Sequence, residues 1–274
     1  MFFFVYFKAG SNTPDRVTFP VDGVEGVIIL KIAEGLEMLE IPSNVMGKLS
    51  VIYPVLIWDS ERAVLVDAGY PGQLAQIREA IEKAGVPFER VDTVILTHQD
   101  IDHIGSLSSI QKELQGKVKV YAHEEEKPYI QGDKCPIKLA QLESRLDSLP
   151  AEMKLVYEKL KSGFQNAKAK VDETLADGDE LPCCCGIRVI HTPGHTPGHI
   201  SLYLKHYKLL IAGDMLGVEN GRLSLSPQSI NFDNALNLKS VRKLADYDIE
   251  KVICYHGGLY GDEVSRQLKE LASE

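Results

Sequence analysis

Four side chains able to bind a metal fall within six positions of the stretch Thr97-His98-Gln99-Asp100-Ile101-Asp102-His103. Imidazole nitrogen and carboxylate oxygen are ligands that zinc, iron and manganese all accept. Three more candidates lie downstream: His195 in TPGHTPGH, Asp214 in LLIAGD and His256 in VICYHGG. Seven such ligands suggest two ions rather than one. Structural metal sites tend to be closed and thiolate-rich, whereas this set is carboxylate-rich with room for water. A divalent ion bound by such residues can lower the pKa of water to about 7, which makes hydroxide available at neutral pH.

Each candidate follows a short apolar run, and a rigid strand delivers its next loop to a fixed place. The runs GVIILKIAEG, SVIYPVLIWD and RAVLVDAG read as strands, with WDSERAV as a hairpin turn between the last two. GQLAQIREAIEKAGV places Leu74, Ile77 and Ile81 on one helical face, with Gly85 near its end. VDTVILT reads as a buried strand feeding the first ligand loop, HIGSLSSIQKELQG as a helix ending at Gly116, and KVKVYAH as another strand. From about residue 134 to 170 the spacing is helical, broken at Pro150, without strand signal. Strands resume at GIRVIHT, HISLYLK and YKLLIAGD, and a strand IEKVICYH and a helix GDEVSRQLKELAS follow. Strands outnumber helices and simple βαβ alternation fails. Two sheets packed face to face with helices outside fit this order better than a doubly wound sheet.

The chain has 274 residues, 44% of them hydrophobic, enough to bury a sizeable core in one domain spanning 1–274. A net charge of -9 disfavours nucleic acid as a partner. No apolar run approaches the ~20 residues that cross a bilayer, so no membrane partner is expected. The opening MFFFVYFKAG lacks a basic segment and a cleavage site and reads as a first strand, not a signal peptide. Five cysteines, three of them adjacent at Cys183, Cys184 and Cys185, do not make a disulfide framework. A reducing, cytoplasmic setting is the expectation, with CCCG a turn into the next strand. A homodimer is compatible with these features.

The ordered motifs resemble the metallo-β-lactamase fold superfamily, whose signature is His-x-His-x-Asp-His followed by separate His, Asp and His positions. DAGYPG resembles the family's first motif, with Asp67 beside the metal loop, and the resemblance runs from the VIYPVLIW strand to CYHGG. It implies an α/β fold, an αββα four-layer sandwich, here with a helical insertion around residues 134–170. It also implies that His98, Asp100 and His195 hold one divalent ion, that Asp102, His103 and His256 hold a second, and that Asp214 bridges them. A hydroxide between the ions would be the nucleophile, oriented by Asp102, and Asp67 would hold the metal loop through hydrogen bonds. For Asp67, capping its own turn is the simpler alternative.

Asp100 departs from the family pattern, which has His there. Two divalent ions carry four positive charges against three negative ones on Asp100, Asp102 and Asp214, and a histidine would leave the centre one unit more positive. Asp100 therefore softens the Lewis acidity and favours iron or manganese over zinc. The size and the TPGHTPGH motif resemble acyl-homoserine lactonases and hydroxyacylglutathione hydrolases (glyoxalase II), so the expected reaction is hydrolysis of a lactone, or else another ester or thioester, with a small molecule as substrate. The alternatives are a phosphodiesterase, or a redox or non-catalytic metal-binding or sensing protein of the same fold. An acidic residue at the same position occurs in the flavodiiron branch, whose flavodoxin-like domain is not expected here.

His199 is expected to hydrogen-bond structurally, alternatively to support a metal ligand; His191 reads as a packing residue, and His123 and His206 as structural or surface residues. In the insertion, Lys154, Lys159, Lys161, Lys168 and Lys170 read as a solvated face, alternatively as a patch attracting an anionic substrate. Leu139, Leu142, Leu146, Met153 and Tyr157 read as packing residues, alternatively as the lining of an acyl pocket.

Overall fold

The computed structural model describes residues 20–21, 24–25, 28–45, 48–182 and 186–273. The opening segment expected to form a strand and the triple cysteine lie outside the described residues.

Two sheets build the centre. The larger runs, in spatial order, through Glu173–Leu175, Lys119–His123, Val91–Ile95, Ala63–Val66, Val55–Trp58, Leu36–Val45 and Ile28–Ala33, with Lys48–Ile52 paired to Leu36–Val45. Its first four strands are mutually parallel and the remaining pairs antiparallel. The second sheet runs Glu180–Leu181, Ile187–His191, Ile200–Leu204, Leu209–Ile211, Lys251–Cys254 and Gly258–Tyr260. One pair in it is parallel, Leu209–Ile211 with Lys251–Cys254.

Three apolar layers follow from these strands. Met38, Val55, Ile57, Val64, Val66 and Ile95 of the first sheet meet Ile187, Val189, Ile200, Leu202, Leu209 and Ile253 of the second. The outer face of the first sheet, with Leu39, Leu56, Leu65 and Val94, is covered by Ile77 and Ile81 of helix Leu74–Lys83 and by Leu107 and Ile110. The outer face of the second, with Ile190, Leu210 and Val252, is covered by Val241 and Leu244 of helix Asn234–Leu244 and by Leu268 of helix Val264–Leu271. This is the αββα sandwich. Strands buried on both faces read as continuous apolar runs, which is why Ala63–Val66 and Ile200–Leu204 are buried at every position.

The insertion forms two helices, Ile137–Glu143 and Ala151–Ala167, separated at Pro150, with a short 3-10 turn at Leu146–Ser148. Leu139, Leu142 and Tyr157 are buried in the outer core, and Leu146 and Met153 pack against it. The five therefore pack against the body of the fold.

Several element boundaries differ from the sequence pattern. SVIYPVLIWD splits into Lys48–Ile52 and Val55–Trp58, because Pro54 has no N–H to continue a ladder. HIGSLSSIQKELQG is interrupted between Ile101–Ile104 and Leu107–Glu113. There the N–H groups of Gly105 and Ser106 donate instead to the carbonyls of Gly69 and Ala68, at 2.8 and 3.1 Å. Strand Leu36–Val45 and helix Asn234–Leu244 are not among the elements that the pattern marks. The strand hides its period because it is buried on both faces, Glu37 included, and burial pushes the Glu37 carboxyl up to about 7 against the pull of Lys31. The helix starts at Asp233, whose carboxylate accepts from the N–H groups of Ala235 and Leu236 at 2.8 and 3.0 Å.

Candidate metal centre

All seven candidate ligands converge at one end of the two sheets. His98, Asp100, Asp102 and His103 follow strand Val91–Ile95, His195 lies between Ile187–His191 and Ile200–Leu204, Asp214 follows Leu209–Ile211 and His256 follows Lys251–Cys254. The loops stand together because parallel neighbours and the sheet-to-sheet packing bring these strand ends to the same edge.

The ligand atoms form two groups. In the first, Asp100 Oδ2 lies 3.1 Å from His98 Nε2 and 2.9 Å from His195 Nε2. In the second, Asp102 Oδ2 lies 3.2 Å from His256 Nε2, with His103 alongside. Asp214 faces both: Oδ1 is 3.1 Å from His103 Nε2, and Oδ2 is 3.5 Å from His195 Nε2 and from His256 Nε2. Asp102 and His256 keep 15% and 24% of their side chains exposed, so they form the edge open to solvent.

The buried histidines are held so that Nε2 points inward. His103 Nδ1 donates to Asp67 at 2.8 Å, and His195 Nδ1 donates to Asn231 Oδ1 at 3.1 Å. Thr97 Oγ1 lies 3.0 Å from His98 Nδ1 while donating to Asp67. Asp67 also accepts from the Thr97 N–H at 2.8 Å. It therefore ties the metal loop to the strand before it, beyond capping a turn.

Two observations fit a divalent cation. His103 Nε2 and Asp214 Oδ1 are buried and have no hydrogen-bond partner, although they face each other. Buried polar atoms are rarely left so. The carboxylates also impose a strong negative field. Burial opposes charge on His103, yet Asp214, Asp67 and Asp102 outweigh it and raise its pKa well above the imidazole range. His256 is likewise burdened by burial and is lifted to about 9 by Asp214 and Asp102. His98 is pushed down to about 4 by burial and by His103, which outweigh Asp100 and Asp214 beside it. Nitrogen and oxygen donors in a negative field are what zinc, iron or manganese require.

Several residues that spacing could not reveal complete the site. Lys138, on the insertion helix Ile137–Glu143, places Nζ against Asp100 Oδ2 and 3.0 Å from His195 Nε2. Burial opposes its charge, but Asp100 and Asp214 outweigh it and raise its pKa. Burial also works against the ionised form of Asp100, and Lys138 and His98 nonetheless hold that carboxyl well below its usual range. Glu126 is fully buried and accepts from the Gln99 N–H at 2.9 Å, the Gln99 amide at 3.0 Å and the Gly198 N–H at 2.7 Å. It joins the first ligand loop to the His195 loop. Tyr255 donates its hydroxyl to the Asp102 carbonyl and stacks on His103 at 3.8 Å. His199 accepts the Asp214 N–H at 3.0 Å, so its hydrogen bonding is structural and supports a ligand directly.

The other histidines are structural. His123 and His191 form a third group with Glu125, but their rings stack at 4.1 Å and only 10° apart. A metal lies near the plane of each imidazole that binds it, at about 2.1 Å, and stacked parallel planes share no such point. The pair instead joins the end of a strand in one sheet to the end of a strand in the other. His206 is exposed beside Tyr207. Among the described residues, no helix is long and apolar enough to cross a membrane.

The fold and the site together define a class. Residues 48–256 match the model of the metallo-beta-lactamase superfamily, and the chain belongs to that superfamily. Among its relatives, a probable metallo-hydrolase YflN of Bacillus subtilis is 30% identical over 226 residues, covering 77% of this chain and 81% of the relative. The metallo-beta-lactamase fold-containing protein ST1585 of Sulfurisphaera tokodaii is 25% identical over 215 residues, 77% and 75% of the two chains. The crystal structure of the metallo-beta-lactamase family protein TTHA1429 from Thermus thermophilus superposes with a TM-score of 0.69 at 24% identity, over 88% of this chain and 79% of that one, a likeness of fold.

Proposed function

We propose that the protein is a metal-dependent hydrolase acting on a small ester, with a lactone of the acyl-homoserine type as the first candidate and other esters or thioesters next. One observation carries the reading: Asp214 stands between two sets of inward-facing Nε2 atoms, with Oδ1 facing His103 and Oδ2 facing both His195 and His256, and Oδ1 has no hydrogen-bond partner. His98, Asp100 and His195 would hold one divalent ion and Asp102, His103 and His256 the other, with Asp214 between them. Bound there, the ions would lower the pKa of water and polarise the acyl oxygen of the substrate. Asp100 favours iron or manganese over zinc, because a hard carboxylate replaces imidazole.

The chain's own groups supply the rest. Asp102, at the open edge, is placed to orient the attacking water and accept its proton. Tyr255 fixes the backbone of Asp102, and His256 fixes its carboxylate. Water adds to the acyl carbon, the bond to the leaving oxygen or sulfur breaks, and the leaving group takes up a proton. The similarity to a probable metallo-hydrolase supports hydrolysis as the reaction class. We further propose one domain, a small-molecule substrate, a cytoplasmic setting and a homodimer, without nucleic-acid or membrane partners.

The test is proton release from lactones, esters, thioesters and phosphodiesters by metal-loaded wild type and by Asp102→Ala. Turnover of a lactone or ester that the variant loses while staying folded supports the reading. Turnover of phosphodiesters alone would replace it.

A further inference from the structure

The two ligand groups differ in one respect that the metal-hydrolase reading does not absorb: a positive side chain already sits in the first. Lys138 Nζ contacts Asp100 Oδ2 and His195 Nε2, two atoms of that group. Among the described residues it makes no hydrogen bond to Asp102, His103 or His256. An ion held by Asp100 and His195 would need the same two atoms that the ammonium engages, so metal and ammonium compete for them. The lysine is not free to swing on a loose segment. The neighbouring Ile137 N–H donates to Gln99 Oε1 at 3.0 Å, Gln99 is held by Glu126, and Leu139 and Leu142 are buried in the outer core.

Charge gives the same answer. Asp100, Asp102 and Asp214 carry three negative charges. One divalent ion with the Lys138 ammonium balances them, whereas two divalent ions with the ammonium in place leave the cluster net positive even with a hydroxide between the ions. The carboxylate at position 100 thereby gains a role: it is the ion-pair partner of Lys138.

We propose that Lys138 is a built-in cation occupying the first metal subsite, so that the protein holds one tight divalent ion at Asp102, His103, His256 and Asp214 and admits a second only by displacing the lysine. This rests on the metal-binding reading of the cluster.

The experiment is calorimetric titration of chelator-stripped protein with manganese and with zinc, with the stoichiometry checked by elemental analysis. Wild type is expected to bind one ion tightly and a second at least tenfold more weakly. Lys138→Met, which keeps the aliphatic stem, is expected to bind two, the second at least tenfold tighter than in wild type. His195→Ala should keep the tight ion and His256→Ala should lose it; the second of these removes no hydrogen bond of the lysine. Two equally tight ions in wild type, an unchanged second ion in Lys138→Met, or a tight ion lost in His195→Ala but kept in His256→Ala would overturn the inference alone. No ion bound by any of the proteins would overturn the metal reading and the inference with it.

Discussion

Asp67→Asn separates the metal from the fold. Asp67 is buried and accepts from the Thr97 N–H, the Thr97 hydroxyl and His103 Nδ1. Asparagine keeps one acceptor for Thr97 but turns an amide NH2 group toward His103. Two donors cannot face each other, so the ring must move its proton from Nδ1 to Nε2, the atom aimed at Asp214 Oδ1. The metal then meets a blocked ligand. Partners of this kind are worth 10- to 100-fold in metal affinity, or about 1.4–2.7 kcal/mol. The backbone does not resist the change: Asp67 has φ +64°, a region that asparagine populates readily. Asparagine still pairs the Thr97 N–H but removes a charge that raises the His103 pKa, so the metal-free variant should be destabilised by about 1 kcal/mol. Asp67→Ala, by contrast, leaves the Thr97 N–H unpaired and should cost about 1–3 kcal/mol even without metal. The assay is manganese titration of stripped protein beside urea denaturation of the same samples. Wild-type affinity in Asp67→Asn would refute the argument that Asp67 sets the His103 tautomer.

The remaining predictions concern the supports of the site. Gly194 has φ +142°, and a Cβ there would lie 2.3 Å from the N and Cα atoms of Asn237. Gly194→Ala should therefore destabilise by at least ~2 kcal/mol in urea denaturation, by strain and by pushing helix Asn234–Leu244 away, and a neutral effect would contradict the packing described. Burial pushes the Glu126 carboxyl up to about 7 despite its bonds from Gln99 and Gly198. A carboxyl raised on folding binds more protons folded than unfolded, so its contribution to stability is greatest below about pH 4.5 and falls as pH rises through about 7. The stability of metal-free Glu126→Gln relative to wild type should improve by about 3 kcal/mol from pH 4.5 to 8, and a pH-independent difference would show that Glu126 is not so perturbed. Chelation should lower the melting temperature, since binding to the native state alone contributes about 4 kcal/mol at a thousandfold excess over Kd; calorimetry with and without chelator checks this, and no shift would count against a bound ion.

The seven candidate ligands were legible because histidines and aspartates cluster after apolar runs and fall in the order of the motifs they resemble, and the structure brings all seven together. Asp67 was legible from its place in the ordered motifs. Lys138 was not: a single lysine on an amphipathic helix carries no spacing signal, and only the insertion's packing against Ile104 and Leu107 aims it at Asp100. Glu126 and Asn231 were hidden for the same reason, since each acts through a contact between segments distant in sequence. The helices flanking Pro150 followed from their apolar spacing. Strand Leu36–Val45 did not, because burial on both faces, including that of Glu37, erases the alternation that marks a strand.

The central claim is that this centre hydrolyses an ester with Asp102 as its proton acceptor. The most direct measurement is proton release from a panel of lactones and thioesters by manganese-loaded wild type beside Asp102→Ala, with metal content determined in both. Turnover by wild type is expected, with at least a hundredfold loss in a folded, metal-containing variant. Equal turnover by both proteins, or none by fully loaded wild type on any ester, would contradict it.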